Sequence, residues 1–456
     1  MGEIQTSAIV APHDSFFLWQ TKKKSKDDRK TWRKKKTVVR KKRKEKKMQS
    51  ASAKRKAPQQ SDESSPQETK KIKVAVGPTR PRLYKHALES IFAHLGLGEL
   101  GRASAVSQDW LAAVSSMRPI GAYVRARSLE LDMIGSSRLM RHVSGIEIRA
   151  QLGSCWVSLL CDIINHSKSL ASLILYQNSI GPGSAAAISE AIKQSKSLLT
   201  VGLSDNSLDD ISLVIIAEAI KQSTSLTTVD LSTNKLGDIG ASIIAEVIGQ
   251  SKLLTSVNLN SNRIGDVGAA AIGKAIKQSK SLIVVGLSNN LIGPDGASAI
   301  AEAIAQGNLL TEIYLSYNRL GPKGTSAIAQ IIAQSKSLAT VDLSDNEIGD
   351  IGAVAIAEAI KQSQSLSKVD LSCNQFGDIG AVAIAEAIKQ SQSLTTLDLN
   401  GNEISDVGAA AIAEAIKQSK LLDTLDLGNN LIGKIGESSI AEAIKQSKSL
   451  AKVCLD

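Results

Sequence analysis

One asparagine returns every 28 residues, at Asn178, Asn206, Asn234, Asn262, Asn290, Asn318, Asn346, Asn374, Asn402 and Asn430. The interval never changes over these ten units, and no insertion interrupts them. A fixed period of this length defines a repeat architecture. Each unit is one supersecondary element that cannot bury its apolar face alone, so neighbouring units must stack to make a core. Only 3% of the 456 residues are aromatic, although 43% are hydrophobic. A core filled with Leu, Ile and Ala suits thin repeated layers better than one globular interior.

Each unit has two halves. The first reads L-x-x-L-x-L-x-x-N, as in Leu338, Val341, Leu343 and Asn346. Alternation over so short a run predicts a strand with these apolar residues pointing inward. The second half carries Ile351, Ala355, Ile356, Ala359 and Ile360 at helical spacing, with Val354, Glu358 and Lys361 on the opposite side. Asp350 stands where a helix N-cap is expected, and Lys361 near the helix C-terminus, both in keeping with the helix dipole.

This pattern, L-x-x-L-x-L-x-x-N-x-L-G followed by a helical half, resembles the leucine-rich repeats of the ribonuclease-inhibitor type. The resemblance implies an α/β solenoid: a curved horseshoe with parallel strands inside and helices outside. It spans residues 169–456, as ten units and a partial eleventh beginning at Ser449. Residues 119–168 break the register, and Ile146 to Lys168 reads as a degenerate N-terminal capping unit. The last strand, Leu450 to Leu455, is expected to present a bare edge.

In such a solenoid the residues between the strand leucines face the concave side. One position read down the units gives Ile174, Gly202, Asp230, Asn258, Gly286, Tyr314, Asp342, Asp370, Asp398 and Asp426. Four aspartates in consecutive units form a column of like charge suited to a basic ligand, and recent duplication of one repeat accounts equally well for them. Tyr176, Tyr314 and Tyr317, with Glu312, make a second candidate patch, because tyrosine is a frequent interface anchor.

The formal net charge of +11 is unevenly placed. Residues 1–80 hold 24 Lys+Arg against 8 Asp+Glu, whereas the remainder holds 31 against 36. Charges this dense bury no apolar surface, so 1–80 is expected to be a disordered basic tail. Its clusters Lys54, Arg55, Lys56 and Lys70, Lys71, Lys73 flank an acidic spacer and resemble a bipartite nuclear-localisation signal. The partner that this implies is an import receptor. Loose nucleic-acid contact through phosphates and a merely solubilising tail are the other readings. Met1-Gly2 with Thr6 fits the short myristoylation pattern, a competing membrane address. No apolar run is long enough to span a membrane. The cysteines, Cys155, Cys161, Cys373 and Cys454, have no paired spacing, which points to a reducing compartment and so to the nucleus or cytoplasm.

Between tail and repeats, residues 81–118 read as a helical segment. Leu88, Ile91, Phe92 and Leu95 recur at i, i+3, i+4 and i+7. With Leu83, Leu100 and the run Val106-Ser107-Gln108-Asp109-Trp110, the segment resembles an F-box, carrying Tyr84 and His86 where that family has Pro and Glu. The resemblance implies docking to the Skp adaptor of a cullin-RING ubiquitin ligase through Leu83, Leu88, Ile91, Phe92, Leu95, Leu100, Val106 and Trp110. The plain alternative is a helical cap on the solenoid.

Catalytic signatures are missing from the sequence. Gly268 to Ala275 fits G-x-x-x-x-G-K but ends in Ala, which lacks the magnesium-binding hydroxyl, and it falls within a repeat helix. The five histidines form no cluster with ligand spacing. The chain is therefore expected to be a non-enzymatic binding protein with no cofactor or metal. The leading reading is the substrate-recognition subunit of a Skp-cullin-F-box ligase. A repeat scaffold or sensor without a ligase link, and a GTPase activator of the RanGAP kind, are the alternatives.

Overall fold

In the computed structural model, residues 123–126, 145–148, 164, 167, 169–304 and 309–455 are described. The adaptor-binding and nuclear-import residues proposed from sequence lie outside them.

The strands are β1 Tyr123–Ala126, β2 Gly145–Ile148, β3 Ser172–Leu175, β4 Thr200–Gly202, β5 Thr228–Asp230, β6 Ser256–Asn258 and β7 Val284–Gly286. They continue as β8 Glu312–Tyr314, β9 Thr340–Asp342, β10 Lys368–Asp370, β11 Thr396–Asp398, β12 Thr424–Asp426 and β13 Lys452–Cys454. All thirteen form one sheet in chain order, each parallel to the next. From β3 onward the register offset equals the repeat, as in Leu173↔Val201 and Val341↔Val369. β1 and β2 lie in the stretch where the sequence loses the repeat, yet they extend the same sheet. The intervening helices are α1 Pro182–Gln194, α2 Asp210–Gln222, α3 Gly237–Gln250, α4 Asp266–Gln278 and α5 Pro294–Ile304. The rest are α6 Gly321–Gln334, α7 Gly349–Gln362, α8 Asp378–Gln390, α9 Asp406–Gln418 and α10 Lys434–Gln446. This is a leucine-rich-repeat solenoid.

The core runs between sheet and helices. Leu338, Val341, Leu343 and Ile348 are fully buried in one unit, as are Ile356, Ala359 and Ile360 of its helix. Ile351 departs from the sequence expectation: it is 71% exposed. At about 100° per residue, the buried arc consists of Gly352, Ala353, Ile356, Ala359 and Ile360, and Ile351 lies across the helix from it. The equivalent Ile239, Val267, Ile379, Val407 and Ile435 are exposed as well.

Nine of the ten asparagines are buried, Asn430 is half-buried, and they link units through the backbone. Asn346 donates from Nδ2 to the carbonyls of Leu315 (2.9 Å), Leu343 (3.0 Å) and Ser344 (3.1 Å), and its Oδ1 accepts from Leu320 N–H at 3.4 Å. Its own N–H donates to Oδ1 of Asn374 at 2.9 Å. The residue before each asparagine is left-handed, for example Tyr317 at φ 54°, Asp345 at 53° and Cys373 at 55°. Such a conformation costs an L-residue about 1 kcal/mol, and the bonds of the adjacent asparagine hold it in place. At Gly401, with φ 70°, an added Cβ would also lie 2.8 Å from Cys373 Sγ, so a side chain there would have to displace that sulfur.

A second link corrects the expected role of Asp350. It lies within the first turn of α7, whose N-cap is Ile348. Its Oδ1 instead accepts from Gly377 N–H and Gly380 N–H, both at 2.9 Å, at the start of the following helix, α8. Asp238, Asp266, Asp378 and Asp406 bond in the same way to the helix after their own. Gly380 permits this approach, since a Cβ there would meet Ala353 Cβ at 2.8 Å and Phe376 Cδ2 at 2.9 Å. Each carboxylate therefore caps its neighbour's orphan amides and faces the positive end of the dipole. Asp350→Ala should lower the urea midpoint by the equivalent of about 1–2 kcal/mol, and Asp350→Asn by less, because the amide oxygen still accepts. Equal losses for the two would show that acceptance by the side chain is not what stabilises the junction.

Candidate protein-binding face

The sheet face opposite the helices carries the sequence-predicted column. Parallel register sets Asp342, Asp370, Asp398 and Asp426 side by side on β9 to β12. Adjacent strands are about 4.8 Å apart, so each carboxyl group has like-charged neighbours. Each also accepts the N–H two residues on: Ser344 (3.0 Å), Ser372 (2.9 Å), Asn400 (2.9 Å) and Gly428 (2.9 Å). The Ser344 and Ser372 hydroxyls donate to Asp342 and Asp370 at 2.8 and 2.7 Å. Asp342 is only 8% exposed, whereas Asp370, Asp398 and Asp426 are half-buried. The open part of the column is therefore its C-terminal three rungs.

Burial and crowding raise Asp342, Asp370 and Asp398. Burial, then the charge of Asp370, pushes Asp342 to about 6. Burial, followed by Asp370, Asp426 and Asp342, pushes Asp398 to about 7. Asp370 is raised as well, chiefly by burial. Asp342 and Asp398 thus hold protons close to neutrality, and a cation brought against them would displace those protons.

Tyr314 and Tyr317 adjoin the column on the β8 side. Tyr314 Oη donates to Glu312 Oε2 at 2.6 Å. Tyr317, 41% exposed, hydrogen-bonds the Asp345 carboxylate, and burial followed by that charge raises its phenol. Glu312, Tyr314, Tyr317, Asp342 and Asp370 therefore form one contiguous area. Asp230 is separate: it is buried on β5, four strands from β9, where burial pushes it to about 6. Tyr176, half-buried just after β3, is farther still. Sequence reading passed over Asp345 and Cys373. Each stands 28 residues beyond its predecessor in the Tyr317 column, and that periodicity was the available signal. Burial, then Asp345, Asp370 and Asp398, pushes the Cys373 thiol to about 11, which keeps it protonated and a poor nucleophile.

The face offers anchors and charge for a protein ligand, and among the described residues no His/Cys/Asp/Glu group is arranged to hold a metal. The phosphate-loop-like Gly268–Ala275 lies in α4, and Gly268 N–H already donates to Asp238. Among the described residues no helix is long and apolar enough to cross a membrane.

Comparison with known protein families finds the same repeats. The Leucine Rich repeat family matches residues 222–245, 250–273, 308–329, 334–357, 362–385 and 390–413. No curated protein matches the chain. Among solved structures, an internalin from Listeria monocytogenes is 17% identical, over 81% of this chain and 97% of its own, with a TM-score of 0.48. The yeast Rad7 and Elc1 complex is 13% identical, covering 82% and 87%, with a TM-score of 0.46. Leiomodin-1 actin-binding site 2 is 23% identical over 29% and 78%, with a TM-score of 0.28. The chain carries leucine-rich repeats and is a repeat module of the protein-interaction class.

Proposed function

We propose that this protein is the substrate-recognition subunit of a Skp-cullin-F-box-type ubiquitin ligase, acting in the nucleus or cytoplasm. The F-box-like segment holds a Skp-type adaptor. The sheet face presents a target protein through a basic segment that meets Asp370, Asp398 and Asp426 beside Tyr314 and Tyr317. The basic clusters at Lys54–Lys56 and Lys70–Lys73 engage an import receptor. The observation that carries this reading is a pairing within one chain. F-box spacing from Leu83 to Trp110 precedes an unbroken run of repeats whose face is acidic and tyrosine-bearing.

The test is co-purification of the full chain with a Skp adaptor, beside a Leu88→Ala, Ile91→Ala, Trp110→Ala variant. The expected result is a stoichiometric complex with the wild type and at least a tenfold loss with the variant, its circular dichroism unchanged, because buried aromatic and aliphatic anchors dominate such interfaces. No complex with either protein would overturn the ligase assignment and leave a repeat scaffold or sensor. Stimulated hydrolysis of GTP on a small GTPase would point instead to a RanGAP-like activator.

A further inference from the structure

We infer that Asn400 is a site of spontaneous modification, at which attack by the Gly401 backbone nitrogen turns the side-chain amide into a carboxylate on the acidic face. This rests on the geometry of two turns and stands apart from the ligase reading. Asn400 alone among the asparagines of the chain is followed by glycine. It lies two residues beyond Asp398 in the turn after β11, at the place that Ser344 and Ser372 hold in their units. Asparagine is a chemically labile residue. Ring closure needs the nitrogen of the following residue to reach the side-chain carbonyl carbon, and a Cβ on that following residue hinders the approach. Gly401 has none.

Asn260, at the same place in an earlier unit, shows the opposite arrangement. Its Oδ1 accepts Ser288 N–H at 2.7 Å, which fixes the carboxamide. Ser261 follows it, and Asn289 Nδ2 donates to the Ser261 hydroxyl at 2.8 Å. Around Asn400 both donors are redeployed. The N–H equivalent to that of Ser288 belongs to Gly428 and donates to Asp426 Oδ1 at 2.9 Å. The Asn400 carboxamide is left with long contacts: Nδ2 donates to Asp426 Oδ1 at 3.4 Å, and Oδ1 accepts from Asn429 Nδ2 at 3.4 Å. Bonds of that length are weak, so the group turns more freely towards Gly401. The Asn429 contact also polarises the carbonyl under attack. One restraint is common to both turns and cancels: Gly401 N–H donates to Gly428 C=O at 2.8 Å, as Ser261 N–H does to Ser288 C=O at 2.8 Å.

The reaction needs water alone. The Gly401 nitrogen gives its proton to hydroxide and bonds to Asn400 Cγ. The bond from Cγ to the side-chain nitrogen breaks, and that nitrogen leaves as ammonia with a proton from water, which restores the hydroxide. Water then opens the cyclic imide at one carbonyl or the other. One product is aspartate; the other is isoaspartate, whose backbone runs through the former side chain. Either sets one more carboxylate beside Asp398 and Asp426.

The folded full chain, held in mildly alkaline buffer and sampled over days, provides the test. Each sample is digested under acidic conditions, and mass spectrometry follows the peptides that carry Asn400 and Asn260. The expected result is conversion of amide to acid at Asn400 about tenfold faster than at Asn260, because glycine leaves the attacking nitrogen unhindered. The product should be a mixture of two acids that elute separately. Ion exchange of the intact protein should show a more acidic species growing at the same rate, and an Asn400→Ser variant should not form it. An amide at Asn400 that persists in the folded chain yet converts in urea would overturn the inference, since the fold would then close the site. Equal rates at Asn400 and Asn260 in the folded chain would overturn it too. So would aspartate as the single product, which would mean hydrolysis without Gly401. The wild-type peptides decide even if the variant fails to fold.

Discussion

Asn346→Ala is expected to destabilise the repeats by about 3 kcal/mol, a larger loss than any surface substitution on the same unit. The alanine strands the Leu320 N–H and takes a donor from the carbonyls of Leu315, Leu343 and Ser344, all in the dry layer between sheet and helices. A buried backbone group left without a partner costs about 1–3 kcal/mol, and second acceptors at some of the carbonyls offset part of the sum. The left-handed Asp345 loses its support at the same time. Asn346→Asp should fare no better, because the carboxylate cannot donate. The same change at Asn430, where these bonds are only part-buried, should cost about half as much. Urea unfolding followed by circular dichroism measures all three. A loss below about 1 kcal/mol at Asn346 would mean that the asparagine ladder is not what holds the turns.

The second large effect is on pH. The raised acids Asp230, Asp342, Asp370 and Asp398 bind protons more tightly in the folded chain than in the unfolded one. Their contribution to stability is therefore present at low pH and is lost as pH rises through about 6 to 7. The solenoid should be more stable at pH 5 than at pH 8 by roughly 2–4 kcal/mol. The opposite sign holds for Asp378. Burial alone would raise it, but the Ser405 hydroxyl and the Ser405 and Gly408 amides hold it below its usual value. Its contribution, like those of the helix glutamates paired with lysines, is lost only as pH falls below about 4. Asp398→Asn should flatten the alkaline limb and stabilise the chain at pH 8 by about 1–2 kcal/mol, since it removes the most crowded charge. Asn258 shows that the substitution suits the site: at the same place in its unit, its Oδ1 accepts Asn260 N–H at 3.0 Å. Thermal melts from pH 4 to pH 9 provide the test. A wild-type profile that rises with pH across 5–8 would contradict the crowding of the column.

Much of this architecture could be read from the repeat itself. Leu338, Val341, Leu343 and Ile356 are buried as their spacing requires, and the 28-residue period is the register offset of the sheet. What escaped the sequence concerns relations between units. Asp350 satisfies a capping pattern equally well for its own helix or for the next, and only the stacking of α7 on α8 decides. Ile351 falls at a spacing compatible with an apolar stripe, but the helix begins at Gly349 and turns that residue outward. The recurrent Gln-Ser-x-Ser-Leu closes the helix-to-strand turn. Ser363 Oγ accepts Leu366 N–H at 3.1 Å, and Ser365 Oγ donates to the Leu338 carbonyl at 2.9 Å in the unit before. On the sheet face, the aspartate column and its order were legible, whereas the burial of Asp230 and Asp342 depended on neighbouring strands.

The bonds between units recur at fixed sequence offsets, with Asp350 meeting residues 27 and 30 further on and Asn346 the asparagine 28 further on. Excising residues 378–405, for example, would leave Asp350 facing Gly377 and Gly408, the same residue types it meets now. Length is thus nearly a free parameter for this protein. Unequal recombination between its near-identical segments can add or drop a rung without redesigning a single junction. Selection can then adjust the reach of the acidic strip in whole-rung steps, much as a ruler is cut at its marks.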